Sequence, residues 1–236
     1  MGKADPSGND ARGPVRAVIF DLDGVLVDSE PNYFESERRL LADYGIDFTP
    51  VMKRPYIGMS SKEMLDDVVS RFGIPERVDV LLARKNTYYL DIAARATTVY
   101  AQTRHLLQLL HQHGYPLALA SGSSPEVIDV ILSAAGLLDL FDLVVSADSV
   151  VRGKPAPDLF LAAARGLGVE PASCIVLEDS SHGVRAAISA GMRCIAIPYL
   201  LDAPLDESFS DAHLLIGTGM AGLHADDMFE WIRSQN

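Results

Sequence analysis

Val15-Arg16-Ala17-Val18-Ile19-Phe20-Asp21-Leu22-Asp23-Gly24-Val25 is a short apolar run that ends on two acids and a glycine. Residues 15–20 read as a strand buried on both faces. Residues two apart on an extended chain point the same way, so Asp21 and Asp23 face one site at its C-terminal end. Two close carboxylates repel unless a cation or a shared proton lies between them. A calcium loop also begins Asp-x-Asp-Gly, but Val25 and Val27 stand where its further ligands are needed. A plain turn does not account for two acids directly after a buried strand.

Working outward, four more apolar runs read as strands: 116–120, 142–146, 174–177 and 193–197. Helical stripes lie between them. Val127, Ile128, Ile131, Leu132 and Ala135 form one, opened by Ser123, Ser124 and Pro125 and stopped by Gly136. Leu159, Phe160, Ala163 and Ala164 form another. Val184, Ala187 and Ile188 form a third, stopped by Gly191. Alternation of strand and helix predicts an α/β fold, a Rossmann-like doubly wound parallel sheet. Nearly a hundred residues between the first two strands break the rhythm. They carry helical stripes instead: Tyr33, Leu40, Leu41 and Tyr44; Met64, Leu65, Val68, Val69 and Phe72; Val78, Leu81, Leu82, Tyr89 and Ile92. Gly45, Gly58 and Gly73 punctuate them. The expected organisation is a flexible tail over 1–14, a core over 15–28 and 98–236, and an inserted α-helical bundle over 29–97.

Three further clusters follow strand ends. Ser121-Gly122-Ser123-Ser124 offers hydroxyls and amides at a helix start, which suits an anion or, alternatively, a simple helix cap. Lys154 lies between Gly153 and Pro155, against the alternative of an ordinary surface lysine. Glu178-Asp179 is a second acid pair, or a dipole-favoured helix start. Doubly wound sheets bind ligands beyond their strand C-termini, and all four clusters fall there. Carboxylates with a hard divalent cation, a lysine and hydroxyl donors make a phosphoryl site.

The net charge of -12 makes a nucleic-acid partner unexpected and requires a local positive site for any anionic substrate. Lysine is scarce, with only Lys3, Lys53, Lys62, Lys85 and Lys154 present. No apolar run is long enough to span a bilayer, and no leader is read in the polar opening. Cys174 and Cys194 sit in apolar stretches without metal-ligand spacing, as expected for a reducing cytoplasm. A monomer or weak dimer is expected.

In order and spacing the four clusters resemble the motifs of the haloacid dehalogenase superfamily: Asp21-Leu22-Asp23-Gly24, Ser121, Lys154 and Glu178-Asp179. The helical insertion and Asp28-Ser29-Glu30 resemble the C1 cap of phosphoglycolate phosphatase, β-phosphoglucomutase and pseudouridine-5'-phosphatase relatives. The whole chain is also similar to phosphatases of C-ribosyl phosphates, those of antibiotic pathways such as alnumycin among them. The resemblance implies Asp21 as nucleophile and magnesium ligand. It implies Asp23 as general acid/base, with its carbonyl oxygen on the metal. Ser121 and the Gly122 amide would bind the phosphoryl group, and Lys154 would pair with Asp21 and phosphate. Asp179 would ligate Mg2+, with Glu178 as a ligand or as an acceptor beside it. An acid at Asp23 disfavours carbon–halogen and carbon–phosphorus cleavage within the superfamily. A complete set of acids with Lys154 argues against a non-catalytic phosphate-binding module.

The implied activity is a Mg-dependent phosphatase acting on a small organic phosphate, a sugar phosphate or a C-ribosyl or nucleoside 5'-phosphate, through an aspartyl phosphate. The alternative is a sugar-phosphate mutase. Here the chain departs from β-phosphoglucomutase, which has His at Tyr33 and Lys-Asn at Ser124-Pro125. Thr98-Val99-Tyr100-Ala101-Gln102 also departs from the usual Pro-Gly-Val at the cap's return. Tyr33, Arg54, Tyr56, Met59 and Lys62 are candidates to face the substrate. His105, His111 and His113 are expected to be solvated, and His182 to lie at the surface of a helix start.

Overall fold

The computed structural model describes residues 13–57, 59–201 and 204–236; residues 1–12 of the expected tail, and Gly58, lie outside them. The elements run β1 (Ala17–Phe20), β2 (Val27–Asp28), α1 (Glu30–Ala42), α2 (Pro50–Lys53), α3 (Ser61–Phe72), α4 (Val78–Ala96), β3 (Thr98–Val99) and α5 (Ala101–Gln112). They continue β4 (Leu117–Ser121), α6 (Pro125–Ala135), β5 (Leu143–Ser146), α7 (Asp158–Leu167), β6 (Cys174–Glu178), α8 (Ser181–Ser189), β7 (Arg193–Ala196), β8 (Leu214–Leu215) and α9 (Ala225–Arg233). Six strands form one parallel sheet in the order β5-β4-β1-β6-β7-β8. β1 is central, and chain order departs from it in both directions, which opens a crevice beyond its C-terminal end.

Alternation along each strand sorts the core by residue size. Val18, Phe20, Leu117, Leu119, Ile175, Leu177 and Ile195 point to one face, under α5, α6 and α9. Ala17, Ile19, Ala118, Ala120, Cys174, Val176, Cys194 and Ala196 point to the other, under α7 and α8. Small side chains on the second face let those two helices sit close to the sheet. Cys174 and Cys194 are buried, unpaired members of that layer. α6 ends where expected, at Gly136 in the left-handed conformation (φ 63°).

α1–α4 lie between β2 and β3 and have their own core of Leu40, Leu41, Phe48, Met64, Leu65, Val68, Ile74 and Leu81. β2 and β3 pair antiparallel, Val27 with Val99 and Asp28 with Thr98, so the chain leaves and returns at one place. The unusual residues at the return have structural partners. Tyr100 N donates to Leu26 O at 3.1 Å, and the Gln102 side chain accepts from Ala225 N at 2.9 Å, holding the first residue of α9. This two-stranded ribbon and β8 were not among the expected strands. Each has two residues per strand, too few for a periodic signal. His105, His111 and His113 are exposed on or just after α5, as expected. Among the described residues, no helix is long and apolar enough to cross a membrane.

The two faces should respond oppositely to side-chain volume. Leu119→Ala, on the large-residue face, should lower unfolding free energy by about 2–5 kcal/mol through a cavity. Ala118→Val, one residue away on the tight face, should lower it by about 1–3 kcal/mol through overpacking. Urea titrations of both variants check this; a stabilising Ala118→Val would contradict the close approach of α7 and α8.

Candidate active site

Asp21 leaves β1 still in sheet register, its N–H donating to Leu177 O at 3.1 Å. The chain then folds back sharply: Gly24 N donates to Val27 O at 2.8 Å, and Leu26 N and Val27 N to Leu22 O at 3.0 Å each. Gly24 has φ 77°, and a Cβ there would lie 2.1 Å from Asp179 Oδ2. Its bare backbone therefore lets the acids from β1 and β6 come together.

Lys154 joins three strands. Its Nζ lies 2.6 Å from Asp21 Oδ1, and it also donates to Glu178 Oε1. Glu178 Oε2 accepts from Asp179 N at 2.9 Å and from Ser180 N and Oγ at 3.0 Å each. Both Glu178 oxygens are thus engaged, and the residue is fully buried. A Cβ on Gly183 would lie 1.8 Å from the Glu178 carboxyl carbon, so the first turn of α8 closes over it.

Asp21, Glu178 and Asp179 each place a carboxylate oxygen within 4.8 Å of the others. Asp21 and Asp179 line the cavity; Glu178 stands behind them. Burial pushes Asp21 up to about 7, with Lys154 opposing and Glu178 and Asp23 adding to the rise. Burial, then Glu178 and Asp21, raise Asp179 well above the usual carboxylate range. Burial alone would lower Lys154, but Asp21 and Glu178 hold it above its ordinary value. The cluster carries more carboxylates than cations. Its all-oxygen donor set fits a hard divalent ion.

β4 supplies the facing wall. Ser121 is buried, its Oγ accepting from Ser123 N at 3.0 Å, and Gly122, Ser123 and Ser124 line the cavity. Ser123 Oγ donates to Asp23 Oδ2 at 3.0 Å, and the Tyr33 hydroxyl of α1 lies 3.3 Å from Ser123 Oγ. Burial raises Asp23, against the hydroxyls of Ser29 and Ser123 and the charges of Lys154 and Lys85.

The cavity, about 1160 Å³, lies between the strand ends and α1–α4. Of the residues expected to face it, Tyr33, Tyr56, Met59 and Lys62 do so. Arg54 does not: it is exposed and outside the wall, while its neighbour Lys53 points in. One residue turns a helical side chain by about 100°, and α2 happens to aim Lys53. His182, exposed at the start of α8, lines the mouth.

A profile of the haloacid dehalogenase-like hydrolases matches residues 18–197. The chain belongs to this family. It is 33% identical over 203 residues to validoxylamine A 7'-phosphate phosphatase of Streptomyces hygroscopicus subsp. limoneus, covering 85% of this chain and 92% of that protein. It is 37% identical over 190 residues to the chloroplastic protein Suppressor of Quenching 1 of Arabidopsis thaliana, covering 78% of this chain but only 18% of that one. The crystal structure of β-phosphoglucomutase from Clostridium difficile superposes with a TM-score of 0.73 at 27% identity, over 94% of this chain and 96% of that one.

For this haloacid dehalogenase-like hydrolase, sequence reading did not place five charged residues of the inserted helices on the cavity wall: Glu30, Glu37, Lys53, Glu63 and Lys85. A signal for two of them was present. Lys85 falls on the stripe Leu81, Lys85, Tyr89, Ile92, and Glu37 falls on the buried face of α1 with Asn32, Ser36, Leu40 and Leu41. A charge in register with an apolar stripe faces inward.

The packing of α8 on Glu178 gives a sharp test. Gly183→Ala should lower stability by about 1–3 kcal/mol, because the methyl group displaces a buried carboxylate with all its partners. Gly217→Ala, with open space around its Cβ position, should stay within about 0.5 kcal/mol of the parent. Equal melting temperatures for the two variants would contradict the description of Glu178.

Proposed function

We propose that the chain is a magnesium-dependent phosphatase of small organic phosphate monoesters, working through a phosphorylated Asp21, with residues 29–97 as the cap over the site. One observation carries the reading. Asp21, held by Lys154 at 2.6 Å, and Asp23, held by Ser123 at 3.0 Å, face the same cavity from one strand end.

In the first step an Asp21 carboxylate oxygen attacks phosphorus, and the bond to the leaving oxygen breaks. Asp23, whose pKa is raised by burial, gives that oxygen its proton. In the second step Asp23, now a carboxylate, takes a proton from water. The water oxygen attacks phosphorus, Asp21 is released and inorganic phosphate leaves. The Ser121 hydroxyl, which accepts from Ser123 N, and the Gly122 amide beside it would donate to the phosphoryl oxygens. Lys154 stays charged and offsets the negative charge of Asp21 and the phosphoryl group. Asp21, Asp179 and the Asp23 carbonyl would hold the magnesium ion, with Glu178 fixing Lys154 and the Asp179–Ser180 turn. Bound there, the ion would supply positive charge against the phosphoryl oxygens. The phosphatase name of the relative that covers nearly its whole length with this chain supports the same class.

A second reading, a sugar-phosphate mutase, draws on the β-phosphoglucomutase likeness. Against it, the position of the mutase His carries Tyr33, whose hydroxyl is in contact with Ser123, and Ser124 and Pro125 open α6 where the mutase has Lys-Asn.

Asp21→Asn should reduce phosphate release from 4-nitrophenyl phosphate by more than about a thousandfold with the circular dichroism spectrum unchanged. Exhaustive treatment with EDTA should abolish parent activity and added magnesium should restore it. Comparable turnover by Asp21→Asn removes the nucleophile, and turnover unaffected by chelation removes the metal.

On glucose 1-phosphate, with or without catalytic glucose 1,6-bisphosphate, inorganic phosphate should form and glucose 6-phosphate should not accumulate. A ³¹P NMR time course in which isomerisation outruns phosphate release would favour the mutase instead.

A further inference from the structure

The carboxyl group of Asp23 is aimed by very little. Oδ2 accepts from Ser123 Oγ at 3.0 Å, while Oδ1 is buried and has no aligned hydrogen bond among the described residues. The other groups around it act without a bond of that kind. The Ser29 hydroxyl, at the N-cap of α1, and the charges of Lys154 and Lys85 all bear on the acid. Both ammonium groups give their hydrogen bonds elsewhere, Lys154 to Asp21 and Glu178 and Lys85 to Ser61. Glu30 adds a like charge on the same side. A hydrogen bond is directional in a way that a charge at a distance is not. The angle of the carboxyl group about its Cβ–Cγ bond therefore depends on Ser123.

Ser123 is itself held on two sides. Its N–H donates to Ser121 Oγ at 3.0 Å, and its Oγ lies 3.3 Å from the Tyr33 hydroxyl. Counting protons gives the direction of that second contact. A carboxylate can only accept, so the one hydroxyl proton of Ser123 goes to Asp23. The serine oxygen then has lone pairs alone to offer, and the Tyr33 phenol must be the donor. Burial and the negative charge of Asp23 raise the pKa of that phenol and keep it protonated. Tyr33 is fixed in turn, its ring packed on Tyr89 at 4.5 Å with Lys85 4.6 Å from its centre. The row Tyr33, Ser123, Asp23 thus points every proton toward the acid. A serine hydroxyl that already accepts from an anchored phenol has fewer directions left for its own proton.

We infer that Ser123 is a positioning residue for the acid step: it holds the Asp23 carboxyl group at the angle that serves the leaving oxygen, and Tyr33 of the inserted helices holds Ser123. The inference rests on the phosphatase reading and goes beyond it. Its consequence is a dependence on the leaving group. A basic leaving oxygen needs its proton as the bond to phosphorus breaks, whereas 4-nitrophenolate departs as a stable anion. A serine that only bound the phosphoryl group would serve both esters equally. Because kcat/KM covers binding and the first transfer, the later hydrolysis of phosphorylated Asp21 does not enter.

The test is kcat/KM on the full chain with magnesium for a series of substituted phenyl phosphates of nearly equal size, from 4-nitrophenyl to 4-methoxyphenyl. Ser123→Ala should raise the ratio of the 4-nitro to the 4-methoxy ester at least about tenfold over the parent. Ser123→Thr, which keeps the hydroxyl, should return the ratio to within about threefold of the parent. Tyr33→Phe should raise it by about threefold or more, since Ser123 keeps its bond but loses its support. Ser123→Ala that slows all esters by the same factor overturns the inference and leaves the phosphatase reading intact. A ratio in Ser123→Thr as high as in Ser123→Ala also overturns it, because the hydroxyl is then not what matters. If Ser123→Ala does not fold, Tyr33→Phe decides, and an unchanged ratio there overturns the inference. A parent that releases phosphate from none of the esters removes the phosphatase reading itself.

Discussion

Lys154 reaches Asp21 after β1 and Glu178 at the end of β6 from a loop that follows β5. Acids left without it at the mouth of a parallel sheet would repel one another across a few ångströms of poorly hydrated space, and would resist ionising together. The single ammonium group makes their convergence tolerable. It still leaves more carboxylates than cations in the cluster, an all-oxygen set that fits a hard divalent ion. Glu178 has the supporting part, with both oxygens committed to Lys154 and the turn into α8. It is the reason Lys154 points where it does.

The opposite wall solves a different problem. Asp23 is tied to Ser123, and Ser123 touches the Tyr33 hydroxyl of the inserted helices. A residue of the sheet is thereby connected through one serine to the helices that cover it. The position of the acid and the position of the cover are coupled by hydroxyl groups rather than by charge. That coupling is local and short-range, in contrast to the field set up by the carboxylates.

These two walls were not equally legible. A strand buried on both faces is a continuous apolar run, so β1, β4, β5, β6 and β7 could be read directly, and each group just beyond their ends could be placed at the sheet's mouth. The ribbon of β2 and β3 and the sixth strand, β8, could not, because two residues have no period. On the helical wall the difficulty was geometric. Whether Lys53 or Arg54 faces inward depends on the phase of a four-residue helix, which composition does not set. Lys85 was overlooked for the opposite reason: a lysine on an amphipathic helix is ordinarily assigned to solvent, and only its register with Leu81 and Tyr89 shows otherwise.

The pairing of Val27 with Val99 and of Asp28 with Thr98 brings the two ends of a long excursion side by side. Closing a loop costs entropy that grows only with the logarithm of its length, about 0.6 kcal/mol for each doubling. Once the ends are joined at that ribbon, the sheet is nearly indifferent to how much chain lies between them. Helices there can lengthen, shorten or exchange their inward-facing residues without disturbing the register of a single strand. The acids at the mouth of the sheet and the helical surface that faces them are therefore free to change separately, although one unbroken chain carries both.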